Sequence, residues 1–187
     1  MSSTDTKNKI QELEAANPET TPPPQSTVQK FQASDDKAKF VKDVEEKKDK
    51  NAEEFEFLAA VYNTGVKEFK IEANKEKAAE YLEKGAGAGS TACMISYGEQ
   101  NMEKDGAKSK AMLEGALSMK DYRAANALGV MYMKLNDINS AIAKFELADS
   151  HNVPNAKQNV CVSKLQKVMI GLSESLALLR DVMAKQG

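Results

Sequence analysis

Few side chains in this sequence have types suited to covalent chemistry, so each can be weighed separately. His151 is the only histidine, within Asp149-Ser-His-Asn-Val153. An imidazole titrates near neutrality and can serve as a general base. This one follows a helical pattern, in a polar loop with no nucleophile motif around it, and reads as a residue at a helix C-terminus. Cys93 and Cys161 are the only cysteines, and both fall in helical patterns. Their spacing carries no metal signature, so they read as small buried hydrophobes in a reducing compartment. Gly85-Ala-Gly-Ala-Gly89 has the glycine density of a phosphate-binding turn. It follows a helix rather than a strand, which makes it a helix end. Glu53-Glu54 belongs to a solvated face, and carboxylates with calcium-loop spacing are absent. No nucleophile elbow, phosphate loop or zinc-helix motif occurs. The expectation is a protein that is not an enzyme, with no catalytic residue, no metal and no cofactor.

Composition bounds the rest. The chain has 187 residues, 41% of them hydrophobic but only 6% aromatic, with no Trp. That balance suits helices packed through Ala, Leu and Met. Eight of the nine methionines, from Met94 to Met183, are expected mainly as core filler, some lining an adaptable groove. A formal net charge of −2 gives no reason to expect nucleic-acid binding. The charge is uneven, with a net basic stretch after residue 155 and an acidic middle. Met1 to Lys9 has no apolar core for a signal peptide, and no run approaches the roughly 18 apolar residues of a membrane span. A cytoplasmic location without membrane insertion is therefore expected.

Three regions follow from the pattern along the chain. Residues 1–34 are polar, with Pro18 and Pro22-Pro-Pro24, and cannot bury enough apolar surface to order themselves; they are expected to be mostly disordered. Within them, Val28-Gln-Lys-Phe-Gln32 is an apolar island. Residues 35–50 form a charged helix capped by Asp35 or Asp36, with Phe40, Val41 and Val44 as a thin apolar stripe. The run Glu45 to Lys50 reads as its solvated face. From residue 51 onward, apolar residues recur at helical spacing. Gly106 is placed in a turn with a free φ, and Ala111, Gly115 and Ser118 on one face of the following helix. The last pair of helices is split near Gly171, with Leu172, Leu176, Leu179 and Met183 as the stripe of a terminal cap.

The strongest signal is Ala124 to Ala148, two short helices joined at Asn136-Asp137. Leu128, Gly129, Tyr132, Ala141, Phe145 and Ala148 have the spacing L-G-x2-Y-x8-A-x3-F-x2-A. Gly129 and Ala141 lack bulk, so two helix backbones can approach, and Tyr132 and Phe145 fill the space beside them. All six positions resemble the tetratricopeptide repeat and its relative, the Sel1-like repeat. Leu58, Ala59, Tyr62, Ala78, Leu82 and Gly85 resemble it again with a longer loop. A second unit aligns Ala92, Ile95 and Ser96 with Ala125, Leu128 and Gly129. The resemblance covers about residues 52–185. It implies an all-α chain, a right-handed α-solenoid of about four helix-turn-helix repeats.

Such a fold implies a protein-protein interaction module, an adaptor or scaffold that holds a protein or peptide in a concave groove. The groove is lined by the first helix of each pair. Carried over, this names Glu56, Ala60, Cys93, Tyr97, Gln100, Asn101, Asn126, Val130, Met133, Lys134, Lys157 and Lys164. The family's chaperone-binding carboxylate clamp is disfavoured, because the first unit offers Glu56 and Ala60 in place of its Lys and Asn. The lysines point instead to an acidic segment. Val28 to Gln32 loosely resembles a segment of some type III secretion rod proteins. That gives an alternative: a secretion-associated chaperone or secretion-system component with an export-competent N-terminus. A helical subunit of an enzyme complex is the third reading.

Overall fold

A computed structural model describes residues 25–67 and 70–185. Within them the chain is all-α, with only an isolated antiparallel bridge between Val66 and Ile71. The helices are α1 (Thr27–Ala33), α2 (Lys37–Glu46), α3 (Ala52–Thr64), α4 (Lys75–Gly87), α5 (Thr91–Asn101), α6 (Gly106–Ser118), α7 (Arg123–Lys134), α8 (Ile138–Ser150) and α9 (Ala156–Ala184). Helix placement is written locally at both ends. Every helix except α7 and α9 starts after a Ser, Asp or Asn whose side chain accepts a backbone N–H of the first turn. Four helices end in the same closure. Gly89, Lys120, Asn136 and Asn152 take positive φ just past α4, α6, α7 and α8. The next residue then donates back to Gly85, Ala116, Tyr132 or Ala148, at 2.9–3.1 Å.

Consecutive helices form three hairpins, α3–α4, α5–α6 and α7–α8, and each packs on the next. The second helices bury the same three positions. These are Ala78, Leu82 and Gly85, then Ser109, Leu113 and Ala116, then Ala141, Phe145 and Ala148. In two hairpins a glycine on the first helix lies under the large residue of the second. A Cβ on Gly98 would sit 2.5 Å from Leu113 Cγ, and one on Gly129 2.5 Å from Phe145 Cε1. The expected contact of Gly129 with its partner helix is therefore present.

Several expectations are corrected. In the second hairpin the buried face is Ser109, Leu113 and Ala116, not Ala111, Gly115 and Ser118; Gly98, rather than Ser96, lies where Gly129 lies. Gly106 is the first residue of α6, behind the Asp105 cap, without positive φ. The last two helices are one: α9 runs unbroken through Gly171 for 29 residues. Only Ala156, Val160 and Ser163 of α9 are buried, so the helix leaves the body after its second turn. For that reason Met169 and Met183 are exposed rather than buried; Cys161 is exposed too, on the outward face of the packed turns, whereas Cys93 is fully buried as expected.

The N-terminal side also differs. Most of the segment expected to be disordered lies outside the described residues, but residues 27–33 are helical, with a capping box between Ser26 and Gln29. Phe31 packs on Phe57 and Phe40, with ring centroids 5.1 and 6.0 Å apart. Nor does the run from Glu45 simply face solvent. Glu45 accepts the hydroxyls of Tyr62 and Tyr81, both at 2.8 Å, and pairs with Lys77. Burial pushes the Glu45 carboxyl up, but the hydrogen bonds from Lys77, Tyr62 and Tyr81 outweigh it and hold it below its ordinary value. This cluster ties α2 to the first hairpin.

Candidate binding groove

A concavity of about 620 Å³ is lined by α1 and by the first helices of two successive hairpins. From α3 come Glu53, Glu56, Phe57 and Ala60, and from α5 come Ala92, Cys93, Ser96 and Gln100. Val28, Phe31 and Gln32 of α1 form the third wall. The helical period explains the choice: residues three and four apart on one helix share a face. The floor is apolar, through Phe57, Leu82 and Cys93, all buried.

The rim carries the polar groups. Glu53 Oε1 accepts the Thr27 N–H at 2.5 Å and so orients α1. Glu56 Oε1 accepts the Ser90 hydroxyl, which also caps α5 through the Cys93 N–H. Both carboxylates are thus positioned by one oxygen each. Burial pushes the Cys93 thiol up, which disfavours the thiolate a nucleophile needs. The Cys93 sulfur instead fills the space over Gly85.

Of the residues expected to line a groove, Glu56, Ala60, Cys93 and Gln100 come together here. The others do not. Tyr97 is buried on the other side of α5, where it and Asn101 line a separate shallow cleft with Glu83 and Lys108. Lys108 pairs with Glu83 at 2.7 Å and lies 5.2 Å from the Tyr97 ring centroid. Asn126 and Met133 face α9: Asn126 Oδ1 accepts from Asn159 at 2.8 Å, and Met133 Sδ lies 3.5 Å from the Ser163 hydroxyl. The first turns of α9 therefore fill the third hairpin's share of the expected groove. Val130 is exposed outside the concavity. The lysines form no common strip with it: Lys134 pairs with Glu103 at 2.6 Å, Lys164 pairs with Glu146 at 2.7 Å, and Lys157 is exposed on α9.

Sequence reasoning missed the wall made by α1. The signal is nonetheless there, because Ser26-x-x-Gln29 is a capping box ahead of Phe31. His151 does not line this concavity. Its ring stacks on Tyr122, with centroids 3.3 Å apart, beside the Asp121–Arg123 pair. The hydrogen bond from Arg123 holds Asp121 down at about 2. Among the described residues no group of His, Cys, Asp and Glu is arranged to hold a metal ion, and no helix is long and apolar enough to cross a membrane. No protein-family model matches this chain, and no curated protein is found as its relative.

Proposed function

We propose that this chain is a non-enzymatic protein-interaction module whose groove holds a segment of another protein. The observation that carries this reading is the open concavity between the first helices of successive hairpins, with an apolar floor and two oriented carboxylates at its rim. Its chemistry suits binding rather than turnover. Burial of the one thiol in it disfavours the thiolate, and among the described residues neither histidine nor an acid–base pair faces it.

We read α3 to α8 as three tetratricopeptide- or Sel1-like repeats stacked as a right-handed α-solenoid. The recurrence of Ala78-Leu82-Gly85, Ser109-Leu113-Ala116 and Ala141-Phe145-Ala148 at the buried positions supports it. So does the shared glycine approach at Gly98 and Gly129. The groove's own charge favours a ligand other than the acidic segment that the lysines pointed to. Glu53 and Glu56 suit a segment with apolar anchors and a basic side chain between them.

The test is affinity purification from the native cell with the wild-type chain and with Ala60→Arg plus Gln100→Arg. Both positions are exposed on the groove walls and outside the core. The double variant should lose at least about tenfold in partner recovery while its thermal midpoint holds. A partner recovered equally by both chains would place the interaction elsewhere.

A further inference from the structure

We propose that the projecting part of α9 is a two-stranded coiled-coil seam, and that its occupant is α9 of a second copy of this chain. Val162, Leu165, Met169, Leu172, Leu176, Leu179 and Met183 follow one another at alternating spacings of three and four. That is an unbroken a/d register across three heptads, and it needs no skip or stutter. Every one of the seven is 54–66% exposed. Val162 faces outward from the packed turns, and the other six lie beyond Ser163, where α9 has left the body.

Such a helix is not self-sufficient. Val162, Val168, Ile170, Gly171, Ser173, Ser175 and Val182 all have middling or poor helix propensity. Isolated helices of this length are marginal in water even with better residues, and their stability comes from packing an apolar face. At roughly 600 Å² the apolar face lies at the upper end of what monomers usually leave open, a size that often marks a functional surface. The face therefore calls for a covering element.

Three features favour a second copy. The seam is self-complementary: Leu occupies every d position, as in two-stranded coiled coils, and Val162, Met169, Leu176 and Met183 occupy the a positions. The flanking e and g positions are Gln166, Val168, Ser173, Ser175, Arg180 and Val182. With Arg180 as their only charge, pairing like with like sets no equal charges against each other. The area is adequate as well. Seven seam residues with Val168 and Val182 remove roughly 600 Å² per copy, about 1,200 Å² for the pair, which reaches the range of stable interfaces. The chain's own residues 1–24 are a poorer occupant, since Met1, Ile10 and Leu13 are their only large apolar side chains.

The test is light scattering and sedimentation of the full chain across a range of concentrations. The wild type should have the mass of two chains. Leu172→Glu with Leu176→Glu puts charges into the middle of the seam and should give one chain, with reduced helical circular dichroism and an unchanged melt of the body. Ile170→Glu with Leu178→Glu alters apolar residues that are also exposed but lie off the seam, and should stay at two. A wild type that remains a single chain at all concentrations overturns the proposal. So do an assembly of three or more, a one-to-one complex with a different protein on this face, or dissociation by the off-seam pair as strongly as by the seam pair.

Discussion

Gly129→Ala should destabilise the protein although alanine is the better helix former. A Cβ at this position would lie 2.5, 2.6 and 2.9 Å from three carbons of the Phe145 ring. Carbon atoms prefer about 3.5–4.0 Å, so ring and helix must separate by about 1 Å. Phe145 is only 2% exposed and cannot swing into solvent. With three carbons inside 3 Å this overpacking belongs in the upper part of the usual range of about 1–3 kcal/mol, at about 2–3 kcal/mol, and the gain in helix propensity returns roughly 1 kcal/mol. The net loss is then about 1–2 kcal/mol, or a midpoint lower by roughly 2–8 °C in a domain of this size. Gly115 is the internal control. A Cβ there meets nothing closer than Met94 Sδ at 3.6 Å, an ordinary contact. Gly115→Ala should therefore raise stability by about 0.5–1 kcal/mol. Denaturant and thermal midpoints of both variants, with Gly129→Ala repeated in a Phe145→Leu background, complete the assay. The smaller side chain should relieve the clash and reverse the sign of the alanine effect. A Gly129→Ala protein as stable as wild type, or a penalty unchanged in the Phe145→Leu background, would refute the close-approach argument.

Two further substitutions probe the interior. Ser109 is fully buried and its hydroxyl has no hydrogen bond among the described residues, in the place where the other hairpins carry Ala78 and Ala141. Ser109→Ala should stabilise by about 1 kcal/mol, read from urea midpoints; a loss would mean the hydroxyl is satisfied in solution. Glu45→Gln should cost about 1–2 kcal/mol at neutral pH by weakening the bonds to Lys77, Tyr62 and Tyr81. Since the Glu45 carboxyl is held below its ordinary value, its contribution is complete above the unfolded-state pKa of about 4.3 and is lost as pH falls through the lower folded value. The gap between the two melting midpoints should be flat from about pH 6 to 8 and close in acid; a gap that persists to about pH 2 counts against this account.

What can be read from the sequence is what residue type decides locally. The Asn136-Asp137 junction is the clearest case: Asn tolerates positive φ and Asp caps the next helix, so both ends of the turn are encoded in two adjacent residues. The register of the second hairpin is harder. Tyr97 precedes Gly98 where Leu128 precedes Gly129, and Ser109 stands where alanine is expected, while Ser96 and Gly115 offer a plausible alternative register. A shift of this kind rotates a helix, which is why the pattern assigns Tyr97 and Asn101 to the groove they face away from. Gly171 reads as a break because glycine weakens helices, but one interior glycine costs only about 1 kcal/mol and needs positive φ or a following cap to end one. Glu45 is opaque for a different reason. Its partners are 17 and 36 residues away, and no local pattern reports a hydroxyl that only the folded chain delivers.

The wall supplied by α1 has a thermodynamic consequence. It is a helix of only seven residues, held on the body mainly by Phe31 and by the Glu53 carboxylate at its start. Elements with so few contacts open far more readily than the core. The complete groove then exists only in the fraction of molecules with α1 seated, and any ligand touching Val28 or Phe31 shows its intrinsic dissociation constant divided by that fraction. Affinity becomes adjustable from outside the contact surface. Strengthening the Ser26 cap would tighten binding without altering a single ligand contact, and loosening Phe31 would weaken it in the same silent way. By linkage, the ligand would in turn lock α1 against the body and protect its backbone amides from exchange.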